Sequence, residues 1–199
     1  MKELSLHILD VAENSINAGA TLVEIYIKED HEKKLLSILI KDNGKGINKE
    51  LLNKIDDPFF TTKENKKIGL GLPLLKDTCK KCEGSFLVES TPNKGTLIKA
   101  TAKIDHIDLP PLGNMSATII ALILRSEDTD IVYIHKVNNS EFLLDTRLIK
   151  KQLEEIPINH PQVINYLKEQ IEKGLKNIGA GKYSQIWRIS YAQAYNPRS

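Results

Sequence analysis

The sequence predicts an α/β protein, a compact α/β unit followed by a small α+β appendage, and three observations lead there. Its 199 residues, against about 150 for a typical domain, allow one full domain and a smaller second one. A composition of 41% apolar and 27% charged residues is that of an ordinary globular chain rather than a disordered or fibrous one. Apolar spacing alternates between helical and strand periods, and paired prolines in Leu109-Pro110-Pro111-Leu112-Gly113 interrupt it, since neither ladder nor helix continues through them. The reading is an α/β unit at residues 1–108, the appendage at 114–178 and a tail at 179–199.

Leu4, Ile8, Val11, Ala12 and Ile16 recur at helical spacing, so residues 2–18 form a helix that ends at Gly19. Thr21 to Lys28 and Leu35 to Lys41 are rich in Val, Ile, Leu and Tyr and flank the polar turn Glu29-Asp30-His31-Glu32, which reads as a hairpin. Lys63 to Gly71 has the lysine- and glycine-rich composition of a loop. Leu72 to Cys82 then resumes a helix, with Pro73 where a first turn tolerates it. A second hairpin joins Ser85–Glu89 to Thr96–Ile104 across Thr91-Pro92-Asn93-Lys94-Gly95. Beyond the prolines follow a helix at 116–124, strands at 131–137 and 141–144 around Asn138-Asn139, and helices at 146–155 and 161–176. The stretch from Gly179, with Trp187 and three tyrosines, has no clear period.

Charge and cysteine content exclude several function classes. With 28 basic and 26 acidic residues the net charge is +2. The densest basic cluster, Lys63, Lys66 and Lys67, suits the phosphates of one nucleotide rather than a polynucleotide, so no nucleic-acid partner is indicated. Cys79 and Cys82 are the two cysteines, too few for a disulfide framework or a four-thiolate metal site, and the five histidines fit no metal spacing. No apolar run reaches the roughly 18–20 residues of a membrane span, and MKELSLHILD lacks the basic start and apolar stretch of a signal peptide. A cytoplasmic protein is expected.

Four short motifs carry the chemistry. Steps of three and four residues from His7 reach Asp10, Asn14 and Asn17, which places them in one polar stripe opposite the apolar face of the first helix. Taken alone, that stripe is also what a solvated helix face looks like. Asp42-Asn43-Gly44-Lys45-Gly46 follows a strand, offering an acceptor and two glycines that let backbone approach a flat ligand; a plain turn fits the same residues. Asp57-Pro58-Phe59-Phe60-Thr61-Thr62-Lys63 precedes Gly69-Leu70-Gly71-Leu72 at a helix start, where free N–H groups and the positive dipole end hold phosphates. Gly95-Thr96 opens an apolar strand, with the threonine hydroxyl placed to bond beside Asp42.

In this order, within about a hundred residues, the four motifs resemble the ATP-binding domain of the GHKL family, shared by sensor histidine kinases, mismatch-repair ATPases, type II topoisomerases and ninety-kilodalton heat-shock chaperones. The resemblance covers residues 1 to about 105. It implies a two-layer α/β sandwich, the Bergerat ATP-binding fold, in which ATP lies between helices and a lid. Asp42 would accept from the adenine amino group, and Asn14 would bind magnesium through its side-chain oxygen. The implied ATP-binding set is Asn14, Asn17, Asp42, Gly44, Gly46, Phe60, Thr62, Lys63, Gly69, Leu70, Gly71, Leu72 and Thr96.

Where histidine kinases usually carry a further asparagine four residues before Asn14, this chain has Asp10. The run from Glu13 to Ala20 is instead similar to the mismatch-repair ATPases. There, and in anti-sigma-factor serine kinases, an acidic residue at this position activates water or a hydroxyl, so Asp10 is the expected catalytic base. The Asp-Pro-Phe-Phe-Thr-Thr-Lys box is histidine-kinase-like, which makes the chain a hybrid. The first helix begins within a few residues of Met1, leaving no space for the dimerising phosphohistidine hairpin, so any phosphate acceptor is expected on a partner protein. Phe142 to Arg147 and Asn159-His160-Pro161 resemble the tails of stand-alone kinase-like ATP-binding proteins encoded beside anaerobic iron hydrogenases, which implies a docking or homodimerisation module and an anaerobic redox context. The expected function is magnesium-dependent ATP hydrolysis or phosphorylation of a partner. The alternative is a nucleotide-gated interaction module with negligible turnover.

Overall fold

The computed structural model describes residues 3–48, 52 and 71–183. Among these residues, five helices, α1 (Leu4–Asn17), α2 (Gly71–Lys81), α3 (Met115–Arg125), α4 (Thr146–Leu153) and α5 (Pro161–Ile178), accompany six strands: β1 (Leu22–Asp30), β2 (Leu35–Asp42), β3 (Phe86–Thr91), β4 (Gly95–Lys103), β5 (Asp130–Val137) and β6 (Ser140–Asp145). The strands form one mixed sheet in the order β3-β4-β2-β1-β5-β6. Neighbours are antiparallel except β1 and β5, which run parallel in the register Val23 to Ile131. Residues 130–145, placed by the sequence in a separate appendage, thus extend the sheet begun by residues 22–103.

The alternation of the strands orients the sheet. On β1, Val23, Ile25, Ile27 and Glu29 are buried, while Leu22, Glu24, Tyr26 and Lys28 on the opposite face are half-buried. The helices line up in the order α2, α1, α3, α5, each packing on the next. Ile8, Val11 and Ala12 of α1, Leu75 of α2, Ile119 and Ile123 of α3 and Ile171 of α5 join the buried strand residues in one core. Helices over a mixed sheet are the expected two-layer α/β architecture.

Local signals account for most boundaries. α1 ends at Asn17 with Ala18 as its C-cap, Gly19 left-handed at φ 75° and Ala20 N–H donating to the Ser15 carbonyl. Asn114 Oδ1 caps α3 by accepting from Ala117 N–H at 2.9 Å, and Asp145 Oδ1 caps α4 by accepting from Arg147 N–H at 2.9 Å. The proline segment is the surprise. Leu109 and Leu112 are buried in the core, and the Pro111 and Leu112 carbonyls accept from the first amides of α1, Leu4 N–H at 3.0 Å and Ser5 N–H at 2.8 Å. Glu3 makes no side-chain cap, so these carbonyls satisfy amides that would otherwise be orphaned at the start of α1. Prolines stop ladder and helix, as expected, yet the Pro111 carbonyl and that of the following Leu112 still accept.

Candidate nucleotide site

The site is built where the end of β2 meets the last turn of α1. Asp42 closes β2 with its carboxylate turned inward, 8% exposed. Oδ2 accepts from Ser15 Oγ on α1 at 2.7 Å; Oδ1 accepts from Gly44 N–H at 2.9 Å and from Thr96 N–H at 3.2 Å. Three donors hold a buried acid in one orientation, and hydrogen bonds to an ionised acceptor are the strong kind. The sequence reading did not single out Ser15. Its only signal is a small hydroxyl on the side of α1 that buries Val11 and Ala12, next to Asn14.

The Asp42–Gly46 loop is fastened on both sides. Asn43 Oδ1 accepts from Thr21 N–H at 2.9 Å and Leu22 N–H at 3.0 Å, tying the loop to the start of β1. Lys45 N–H donates to the Ala18 carbonyl and Asn93 N–H to the Lys45 carbonyl, while Ile47 N–H donates to Ser90 Oγ at 2.7 Å. Gly46, at φ 65°, lies against the turn between β3 and β4: a Cβ there would stand 2.1 Å from the Thr91 carbonyl oxygen. Close approach of backbone to backbone therefore requires this glycine, whether or not a ligand also approaches. Gly44 is packed on Ala18, with a Cβ position 3.1 Å from the Ala18 carbonyl oxygen.

Thr96 reaches Asp42 through a different atom than expected. Its amide donates to the carboxylate, while its hydroxyl pairs with Ser90 Oγ at 2.9 Å. The preceding Gly95, at φ 100°, brings β4 so close to the end of β2 that a Cβ would lie 1.9 Å from the Asp42 carbonyl oxygen.

α2 meets α1 at Gly71, where a Cβ would stand 2.5 Å from Asp10 Cβ and 3.1 Å from the His7 carbonyl oxygen. The first turn of α2 is thereby pressed against Asp10, with Leu72 buried behind it. Of the expected polar stripe, Asp10 and Asn17 are exposed and Asn14 is half-buried. His7 departs from it at 4% exposure, where α2 crosses α1. Asn17 Oδ1 accepts from Arg125 Nη2 of α3 at 3.4 Å, so it also faces the C-terminal half. Phe60, Thr62, Lys63, Gly69 and Leu70 lie outside the described residues.

Cys79 and Cys82 sit at the far end of α2, both buried. Desolvation pushes the Cys79 thiol up to about 11, with Cys82 a minor contributor. It pushes the Cys82 thiol up as well, assisted by Asp108 and Asp77. Both thiols are packing groups rather than nucleophiles at neutral pH. Among the described residues no helix is long and apolar enough to cross a membrane.

A layer of helices on a mixed sheet, with an oriented buried acid at the end of β2 and a helix packed by its first described turn on α1, defines a two-layer α/β domain. Residues 2–106 match the family of histidine kinase-, DNA gyrase B- and HSP90-like ATPases. The chain belongs to that family, and its general character is that of an ATP-binding, kinase-like domain.

It is 37% identical over 99 residues to sporulation kinase A of Bacillus subtilis, covering 50% of this chain and 16% of that protein. It is 34% identical over 117 residues to the signal transduction histidine-protein kinase AtoS of Escherichia coli, covering 58% and 18%. The matched segment is thus less than a fifth of either relative. Among solved structures, the N-terminal domain of a DNA repair protein aligns with a TM-score of 0.49 at 16% identity, covering 73% of this chain and 53% of that one. The Aquifex aeolicus MutL ATPase domain complexed with ADP aligns at 0.40 and 17%, covering 77% and 68%.

Proposed function

We propose that this chain is a magnesium-dependent ATP-binding protein that hydrolyses ATP or transfers its terminal phosphoryl group to a partner protein. The observation that supports this most is Asp42, a buried carboxylate oriented by Ser15, Gly44 N–H and Thr96 N–H. An ionised carboxylate only accepts, which matches the amino group at adenine's six position.

The donor set fits magnesium. The Asn14 amide oxygen is a hard donor with the Asp10 carboxylate one turn away. Magnesium ordinarily takes few protein ligands and completes its shell with phosphate oxygens and water, so Asn14 would hold the ion and leave Asp10 to act as base. Among the described residues there is no group of three His, Cys, Asp or Glu that would cage a metal by itself. When bound, the ion would neutralise phosphate charge. Asp10 would then take the proton of the attacking water or hydroxyl at its carboxylate. The close packing of Gly71 supports that role: a Cβ there would stand 2.5 Å from Asp10 Cβ, so the glycine keeps the first described turn of α2, where helix-start amides suit phosphates, beside Asp10.

The phosphate acceptor, if transfer occurs, is proposed to lie on another protein. Incubation of the pure protein with γ-labelled Mg-ATP, alone and with host lysate, tests the reading. Label as free phosphate supports hydrolysis, and label on another chain supports transfer. Binding without any turnover points to the gating module. If saturating Mg-ATP leaves the melting temperature unchanged, the proposal fails, since ligand at a hundredfold its Kd adds about 2.7 kcal/mol. Asn14→Ala should remove most of the magnesium dependence.

A further inference from the structure

We propose that residues 179–183 form a detachable strap, closed in this structure over a buried carboxylate at the end of β1 remote from Asp42. The carboxylate is Glu29, fully buried and six residues along β1 from Val23, the partner of Asp42 in the β1–β2 ladder. At about 3.3 Å per residue the two acids lie roughly 20 Å apart along the sheet.

The strap begins where α5 stops. Gly179 and Gly181 are both left-handed, at φ 75° and 71°, and this pair reverses the chain as few other residues would allow. The Gly181 amide consequently donates to Glu29 Oε1 at 2.7 Å, and Tyr183 enters the core at 3% exposure. The same Glu29 oxygen bonds His135 Nε2 at 2.8 Å, and His135 Nδ1 bonds the Tyr133 hydroxyl at 2.7 Å. Glu29 lies in the segment that matches the family; both of these partners come from the C-terminal half.

The closed state is opposed from within. Glu29 Oε2 has no hydrogen-bond partner among the described residues and faces His31 Nε2 at 3.8 Å. The buried Tyr183 hydroxyl has none either. The Tyr183 hydroxyl, carried into the core by the strap, loses water on closing and receives no hydrogen bond from the described residues in return. Burial of the Tyr183 ring and the bond from Gly181 to Glu29 help to hold the strap down, while the desolvated Tyr183 hydroxyl favours its release. Such a balance marks a locally unfolding segment rather than a fixed part of the core.

Hydrogen exchange of the Gly181 amide in the full chain, without nucleotide, tests this apart from the ATP reading. Tyr183→Phe removes a hydroxyl that regains water only in the open state, so exchange at Gly181 should slow about fivefold or more. Glu29→Gln weakens the charge-assisted bond and should speed it about tenfold, with the amides of β1 and β5 unchanged. Faster or unchanged exchange in Tyr183→Phe overturns the proposal, because the hydroxyl would then have a partner in the closed state. Unchanged exchange at Gly181 in Glu29→Gln also overturns it, as does acceleration spread equally over β1 and β5, which would mean that the segment opens only with the whole fold.

Discussion

Ser15 Oγ on α1 stands 2.7 Å from Asp42 Oδ2 at the end of β2. That bond joins the helix carrying Asp10 and Asn14 to the acid proposed to read the base. Ser15→Ala should destabilise the fold by about 1–3 kcal/mol, the usual loss when a buried charged acceptor forfeits a donor. It should also weaken ATP binding. Thermal melting and nucleotide titration of the same variant measure both, and an unchanged ATP affinity would separate Ser15 from base recognition.

Asp42 itself makes the sharper prediction. Guanine presents a carbonyl oxygen where adenine has an amino group, and an acceptor facing an acceptor is left desolvated and unpaired. The wild-type protein should prefer ATP over GTP by about 10²-fold or more, and Asp42→Ala should lose most of that preference. Equal competition by GTP in the wild type would mean that the base is not at Asp42.

Asp10→Asn preserves shape beside Gly71 and removes the proton acceptor. Turnover should fall by about 10²- to 10⁴-fold while nucleotide affinity is kept. Rates measured at saturating Mg-ATP decide between a base and a helix-surface residue, for which they would not change.

Gly46→Ala should damage the fold before any ligand is added. The residue sits at φ 65°, and the new Cβ would collide with the Thr91 carbonyl. Strain and overpacking together should lower stability by at least about 2 kcal/mol. Denaturant unfolding without nucleotide measures it; a full-stability variant that merely fails to bind ATP would return Gly46 to a ligand-facing role.

Cys79 gives a pH dependence. Its thiol ionises near 9.0 in the unfolded chain and is pushed to about 11 by burial in the folded one. Protonated in both states below pH 9, it contributes its full stability there. Between pH 9 and 11 the unfolded thiol ionises first, so that contribution is lost as pH rises. Stability should fall more steeply over this window in the wild type than in Cys79→Ala, and iodoacetamide should leave the native thiol unlabelled at pH 8.

How much of this was legible in the amino-acid order depends on the range of the forces involved. Periodicity is a local property, so every helix and strand described in residues 3–48 and 71–178 could be read from it, to within a residue or two at most ends. Gly19 and the Asp42–Gly46 motif could be read for the same reason: a left-handed cap and an acceptor–glycine turn are specified by neighbouring residues. Contacts between residues far apart left no such trace. Thr21–Lys28 and Ile131–Val137 both read as strands, but nothing local says that they lie parallel, side by side, in one sheet. Paired prolines read as a boundary because they forbid hydrogen-bonded continuation. Only the folded chain shows their segment buried, with its carbonyls capping α1. Ser15 read as one more helix residue until α1 was laid across β2, 27 positions away, and Gly46 as a ligand-facing glycine until β3 and β4 were folded against it. The sequence by itself determined the elements and singled out the acids of the candidate site. Tertiary structure decided which donors hold Asp42, because packing, unlike periodicity, depends on what the rest of the chain brings alongside.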